Sequence, residues 1–163
     1  MTDSRICIAL DFQNKAEVKE FLEKFNDEKL YVKVGMELFY GEGIEIIKMI
    51  KEMGHNIFLD LKLHDIPNTV KSAMKQLAKL EVDMVNVHAS GSIAMMKAAI
   101  EGLEAGKTGD KRPLCIAVTC LTSLDQEVLD NELLINDTLE NVVLKWATNA
   151  KEAGLDGVVC SPL

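Results

Sequence analysis

The chain has 163 residues, 48% hydrophobic and 27% charged, enough for one globular core and unlike the composition of a disordered chain. Its formal net charge of -8 excludes a general nucleic-acid or anionic-membrane surface, since both need a basic face, yet leaves room for an anionic small molecule held by a few local cations. No run approaches the roughly 18 consecutive apolar residues that span a bilayer. The opening Met1-Thr2-Asp3-Ser4-Arg5 lacks a signal-peptide layout, and Cys7, Cys115, Cys120 and Cys160 form no C-x-x-C pair. Reduced thiols in a cytoplasmic protein are the expectation.

The first predicted strand covers 6–10 and runs into Asp11. A helix follows, with Asn14 as its cap and Glu17 completing a capping box; Val18, Phe21, Leu22 and Phe25 share one face. The second strand covers 31–34, and a helix over 42–53 turns Ile44, Ile47 and Ile50 inward until Gly54 ends it. The third strand, 57–61, leads to a helix after Pro67 carrying Val70, Ala73, Met74 and Leu77 on one side. The fourth, 84–87, precedes a helix over 92–105 that Gly106 stops. The fifth is 114–118; residues 121–136 read as a long loop with a short helix. A last helix then starts at Asp137 as cap with Glu140 three residues on, buries Leu139, Val142, Val143, Trp146 and Ala150, and ends at Gly154. The sixth strand is 157–160.

Strands alternating with helices call for parallel strands and crossover helices, an α/β fold. No G-x-G-x-x-G follows the first strand, which disfavours a dinucleotide-binding sheet. The expectation is a (β/α)8 TIM barrel, of which residues 1–163 supply about the first six strands as one domain that is incomplete at the C-terminus.

The third strand carries charges where a core strand should be apolar. Alternation puts Ile57, Leu59 and Leu61 on one face and Phe58, Asp60 and Lys62 on the other. The second strand sets Lys33 opposite Val32 and Val34, and the first ends in Asp11. These four charges, alternating in sign, fall at the C-terminal ends of neighbouring strands, where barrel enzymes carry their chemistry. One such charge is ordinarily a solvated strand end; burying four is costly unless every member is paired, so a functional cluster is the better reading.

The run Asp60-Leu61-Lys62-Leu63-His64-Asp65-Ile66-Pro67-Asn68-Thr69 resembles the signature of the orotidine 5'-phosphate decarboxylase family. The D-x-K-x-x-D core also occurs in related sugar-phosphate barrels; the continuation Ile-Pro-Asn-Thr selects the decarboxylases. Ala9-Leu10-Asp11, Val32-Lys33-Val34-Gly35 and Val118-Thr119-Cys120-Leu121-Thr122-Ser123 match in order along the whole chain. The resemblance implies that Lys62 is the general acid protonating C6 of the pyrimidine, that Asp60 lies beside the substrate carboxylate, and that Lys33 holds Asp60 and the ribose hydroxyls. Asp11 would bind ribose, and Thr122 and Ser123 the pyrimidine or its loop. Asp65 and Thr69 would reach into the partner's site of a homodimer, and Ile66 would bind substrate. The substrate would be a nucleotide, with no metal or organic cofactor.

Family members continue through two further strand–helix units that supply a mobile loop and the phosphate site with its arginine. The resemblance therefore implies a C-terminally truncated chain, inactive or weakly active if it ends at Leu163, and phosphate binding falls to no residue here. Two alternatives stay open: a magnesium-dependent barrel enzyme of the hexulose-phosphate synthase or keto-gulonate-phosphate decarboxylase type, and a non-catalytic fragment. His88 reads as a supporting or structural histidine, His64 as packing or interface, and His55 as exposed. The methionines, Met74, Met95 and Met96 among them, read as gap-filling core. The stretch from Lys107 to Arg112 precedes a strand and makes a poor phosphate site.

Overall fold

The computed structural model describes residues 6–25 and 27–161; the opening Met1-Thr2-Asp3-Ser4-Arg5 and the closing Pro162-Leu163 lie outside the described residues. Six parallel strands form one sheet in sequential order: β1 (Ile8–Ala9), β2 (Tyr31–Gly35), β3 (Asn56–Leu63), β4 (Met84–His88), β5 (Leu114–Val118) and β6 (Gly157–Val159). Crossover helices α1 (Lys15–Leu22), α2 (Met36–Glu42), α3 (Ile44–Glu52), α4 (Pro67–Ala78), α5 (Ser92–Gly106), α6 (Gln126–Asn131) and α7 (Leu139–Glu152) connect them. A parallel sheet that never skips a neighbour and curls with its helices outside is a partial (β/α) barrel.

The layer between sheet and helices is apolar throughout. Val32, Val34, Ile57, Leu59, Val85 and Val87 from the strands are buried against Leu22, Ile46, Ile47, Ile50, Met74, Met95, Met96 and Leu103 from the helices. Asn14 caps α1 as expected, accepting from the N–H groups of Ala16 and Glu17. Glu17 reaches back to Gln13 N–H (3.2 Å) and to the Asn14 side-chain amide (2.9 Å) rather than to the cap residue's own N–H. The expected helix over 42–53 is α3, Ile44–Glu52, and an unexpected helix, α2, precedes it over Met36–Glu42. Gly43, at φ +66°, takes a left-handed conformation that closes α2 and opens α3. The start of α7 also moves by one residue: Thr138 caps it by accepting from Asn141 N–H, while Asp137 binds the Asn141 side chain.

At the N-terminal ends of the strands one device occurs twice. Asp83, just before β4, donates its N–H to Ile57 O (2.9 Å) and accepts from Ile57 N–H (2.7 Å). Asp156, just before β6, makes the same pair of bonds with Cys115 at 2.8 and 2.7 Å. Asp156 also takes a forked pair of bonds from Arg112, at 2.6 and 3.1 Å. Burial alone pushes the Asp156 carboxyl up, but the Arg112 hydrogen bond, the Cys115 N–H and the Arg112 charge outweigh it and hold the group below its ordinary value. Asp156→Ala removes the forked partner of Arg112, which keeps only Glu104 at 3.4 Å and the Pro113 carbonyl at 2.8 Å, and takes the Asp156 carboxylate from Cys115 N–H; it should cost about 2 kcal/mol in urea unfolding. An unchanged midpoint would show the clamp to be idle.

Candidate active site

Lys33 in β2 and Asp60 and Lys62 in β3 meet at the C-terminal end of the sheet because their strands are adjacent and in register, Gly35 pairing with Asp60. The Lys62 ammonium donates to Asp60 Oδ1 at 2.7 Å. Lys33 Nζ lies 3.6 Å from Asp60 Oδ2 and 3.4 Å from Asp11 Oδ1. The Asp60 side chain is 11% exposed, Lys33 25% and Lys62 26%, whereas Asp11, at 76%, stands in the open mouth. The four charges predicted to converge do so, in the order Asp11–Lys33–Asp60–Lys62.

Simple alternation fails at one point. Between β3 and β4 the register jumps: Leu59 pairs with Val85 and Leu63 with Val87, so three residues, Asp60-Leu61-Lys62, stand opposite the single residue Asn86. Lys62 takes φ +52°, a left-handed conformation rare for a residue with a side chain and costing about 1–2 kcal/mol. Bulges of this kind re-aim side chains beside sites.

The buried Asn86 fills the gap. Its Oδ1 accepts from Lys62 N–H (2.8 Å), and its Nδ2 donates to Asp60 Oδ1 (2.6 Å). Sequence reasoning misses this residue; the one available signal is an amide in the middle of a buried strand, Val85-Asn86-Val87.

Burial pushes the Asp60 carboxyl up, yet hydrogen bonds from Lys62 and Asn86, with the charges of Lys62 and Lys33, outweigh it and keep the group below 3.8. A carboxylate so depressed stabilises the fold above its unfolded value, and that contribution is lost as pH falls through the folded value. Stability should therefore be level above about pH 5 and decline below about pH 4. Asp60→Asn should flatten part of that decline in thermal melts; an identical acid slope would contradict the assignment.

A cavity of about 250 Å³ opens on this cluster, lined by Lys33, Asp60, Lys62 and Asn86 on its polar side and by Phe58, Val118, Leu121 and Val159 among its apolar walls. Thr122 lines it as well; Ser123 is exposed in the adjoining turn and does not. Thr119, from the same stretch, is buried and ties β5 to β6 through Val159 O (2.8 Å). Asp65, Ile66 and Thr69 lie outside the cavity, all exposed at the start of α4, where Asp65 accepts from Ile66 N–H at 2.7 Å.

The His88 ring sits 5.5 Å from that of His64, and burial, then His64 and Lys62, push its pKa down. His55, expected to be exposed, is buried: its Nδ1 accepts from Leu30 N–H at 3.2 Å and joins the start of β3 to that of β2. Among the described residues no three His, Cys, Asp or Glu side chains are grouped to hold a metal ion, and no helix is long and apolar enough to cross a membrane.

Parallel strands under a helical layer, with a lysine–carboxylate cluster at the strands' C-terminal ends, define the (β/α)8-barrel enzyme class. The chain belongs to the orotidine 5'-phosphate decarboxylase / HUMPS family, whose model matches residues 4–163. It is 63% identical over 159 residues to the orotidine 5'-phosphate decarboxylase of Bacillus mycoides, covering 97% of this chain and 67% of that protein. Among solved structures, an uncharacterized conserved protein from Geobacillus kaustophilus superposes with a TM-score of 0.93 at 59% identity, covering 94% of this chain and 72% of that one. Orotidine 5'-phosphate decarboxylase from Lactobacillus acidophilus gives 0.90 at 46% identity, covering 96% and 71%.

Proposed function

We propose that the protein is a carboxy-lyase that converts orotidine 5'-phosphate to uridine 5'-phosphate in pyrimidine synthesis. The observation that carries this reading is the Lys62–Asp60–Lys33 cluster at the barrel mouth in a chain of this family. Heterolysis of the bond from C6 to the carboxyl carbon releases carbon dioxide and leaves an electron pair in the ring plane, with no adjacent carbonyl to spread it. The Lys62 ammonium faces that pair, stabilises it as it develops and supplies the proton that makes the new C6–H bond. At about 4 Å and an effective dielectric of about 20, such a unit-charge attraction amounts to about 4 kcal/mol, one contribution among several.

Asp60 holds Lys62 in place and lies beside the substrate carboxylate, where repulsion is relieved as carbon dioxide departs. Lys33 keeps Asp60 ionised and, with Asp11, takes the ribose hydroxyls. Thr122 contacts the pyrimidine, and Ser123 belongs to the loop beside it. Every step runs on these side chains, without metal or organic cofactor.

The same reading makes the protein a cytoplasmic homodimer in which Asp65 and Thr69 enter the partner's site and Ile66, between them, binds substrate. Their exposure, and their place outside their own chain's cavity lining, support it; a monomer by light scattering would remove it. The test of the reaction itself is loss of orotidine 5'-phosphate absorbance in the presence of EDTA. Chelator-resistant turnover supports the proposal. Folded protein that ignores this nucleotide but acts on a phosphosugar with magnesium would replace it.

A further inference from the structure

We infer that Asn86 is the positioning residue of this site, aiming the Lys62 ammonium and holding the Asp60 carboxylate in its charged form. The inference rests on the proposed decarboxylation and deepens it.

At the bulge, β3 offers three residues against one on β4, so the regular ladder has no backbone acceptor to offer Lys62 N–H. The Asn86 carboxamide oxygen takes that place at 2.8 Å and so fixes a left-handed backbone that lysine does not adopt freely. The other half of the amide donates to Asp60 Oδ1 at 2.6 Å, the same oxygen that receives the Lys62 ammonium at 2.7 Å. One side chain therefore sets where the Lys62 main chain leaves the strand and where its ammonium comes to rest.

Both functions need a carbonyl and an NH2 on one short planar group, and at 2% exposure no solvent stands in for either. A glutamine is one methylene too long for the gap, and a leucine satisfies neither partner. The charged and titratable groups around Asp60 are Lys62 on its own strand, Lys33 on β2 with Asp11 beyond it, Cys7 before β1 and His88 on β4. Of the two side chains that donate hydrogen bonds to Asp60 among the described residues, Lys62 and Asn86, Asn86 carries no charge, so its removal alters geometry and hydrogen bonding without changing the formal charge of the site.

Two substitutions test this. Asn86→Ala should lower kcat about 100-fold with little change in KM, because the reacting ammonium is misplaced while ribose contacts remain. Asn86→Asp keeps the shape and the acceptor for Lys62 N–H but sets a second carboxyl against Asp60. At acid pH the two share a proton that imitates the amide donor; at higher pH two like charges face each other. Asn86→Asp should therefore be most active at the acid end and lose activity as pH rises, over a range where the wild type is level.

Carboxyl-selective NMR titration gives a readout independent of turnover: Asp60 should titrate higher in Asn86→Ala than in wild type. A kcat within about 3-fold of wild type for Asn86→Ala, an Asn86→Asp pH profile parallel to wild type, or an unmoved Asp60 titration would each overturn the inference. A wild type with no decarboxylase activity but a shifted Asp60 titration in the variant would overturn the proposed reaction and leave the role of Asn86 in place.

Discussion

Lys62→Ala should lower kcat for orotidine 5'-phosphate decarboxylation by at least about 10⁴-fold, the combined scale of a lost general acid and a lost electrostatic stabiliser. The Lys62 ammonium meets Asp60 Oδ1 at 2.7 Å, and Lys33 is turned toward Asp60 Oδ2 and Asp11. Lys33 is therefore badly placed to take over. Alanine also leaves Asp60 with less compensation for its burial, so a modest rise in KM is expected alongside the fall in kcat. Lys62→Arg should not rescue, because guanidinium keeps the charge but gives up its proton far less readily. Steady-state rates for both variants decide the matter. Lys62→Ala within about 10-fold of wild type would remove Lys62 from the chemistry.

The largest loss of stability should come from a glycine outside the site. A Cβ on Gly102 of α5 would stand 2.2 Å from the Lys71 carbonyl oxygen of α4, and one on Gly106 would stand 2.1 Å from that of Lys75. The two glycines are one turn apart and face two carbonyls one turn apart, so the helices meet backbone to backbone along this line. Backbone cannot swing aside as a side chain can. Gly102→Val should therefore cost about 3 kcal/mol or more, lowering the melting temperature by roughly 6–12 °C for a chain of this size. Gly41 of α2, where an added Cβ would meet nothing within 4 Å, is the matched control for a helical glycine and should lose far less on the same change. Equal urea midpoints for Gly102→Val and wild type would contradict the close packing.

Most of this architecture is legible in the sequence because burial imposes a period. The six strands stand out as short apolar runs, and the predicted 114–118 strand coincides with β5, while β3 continues two residues beyond the 61 predicted. The charged cluster is legible for the opposite reason: Lys33, Asp60 and Lys62 break an apolar pattern that free energy otherwise enforces. What alternation misses is any place where the backbone departs from it. The bulge at Asp60-Leu61-Lys62 carries no glycine to announce its positive φ, so the strand reads as regular and nothing singles out Asn86.

Helix α2 escapes for a related reason. Only Leu38 of its seven residues is buried, so there is no face to detect, and Gly43 reads as helix interior rather than as a junction. His55 shows the limit of local context. Next to the turn at Gly54 it reads as exposed, and only the approach of Leu30 N–H from 25 residues earlier gives it a buried partner.

The most direct test of the proposed chemistry is the product formed from orotidine 5'-phosphate in deuterated water with EDTA present. Stoichiometric carbon dioxide is expected, with uridine 5'-phosphate carrying one deuterium at C6, delivered from the exchanged Lys62 ammonium, and Lys62→Ala forming almost none. Recovery of unchanged nucleotide from folded wild-type protein would contradict it.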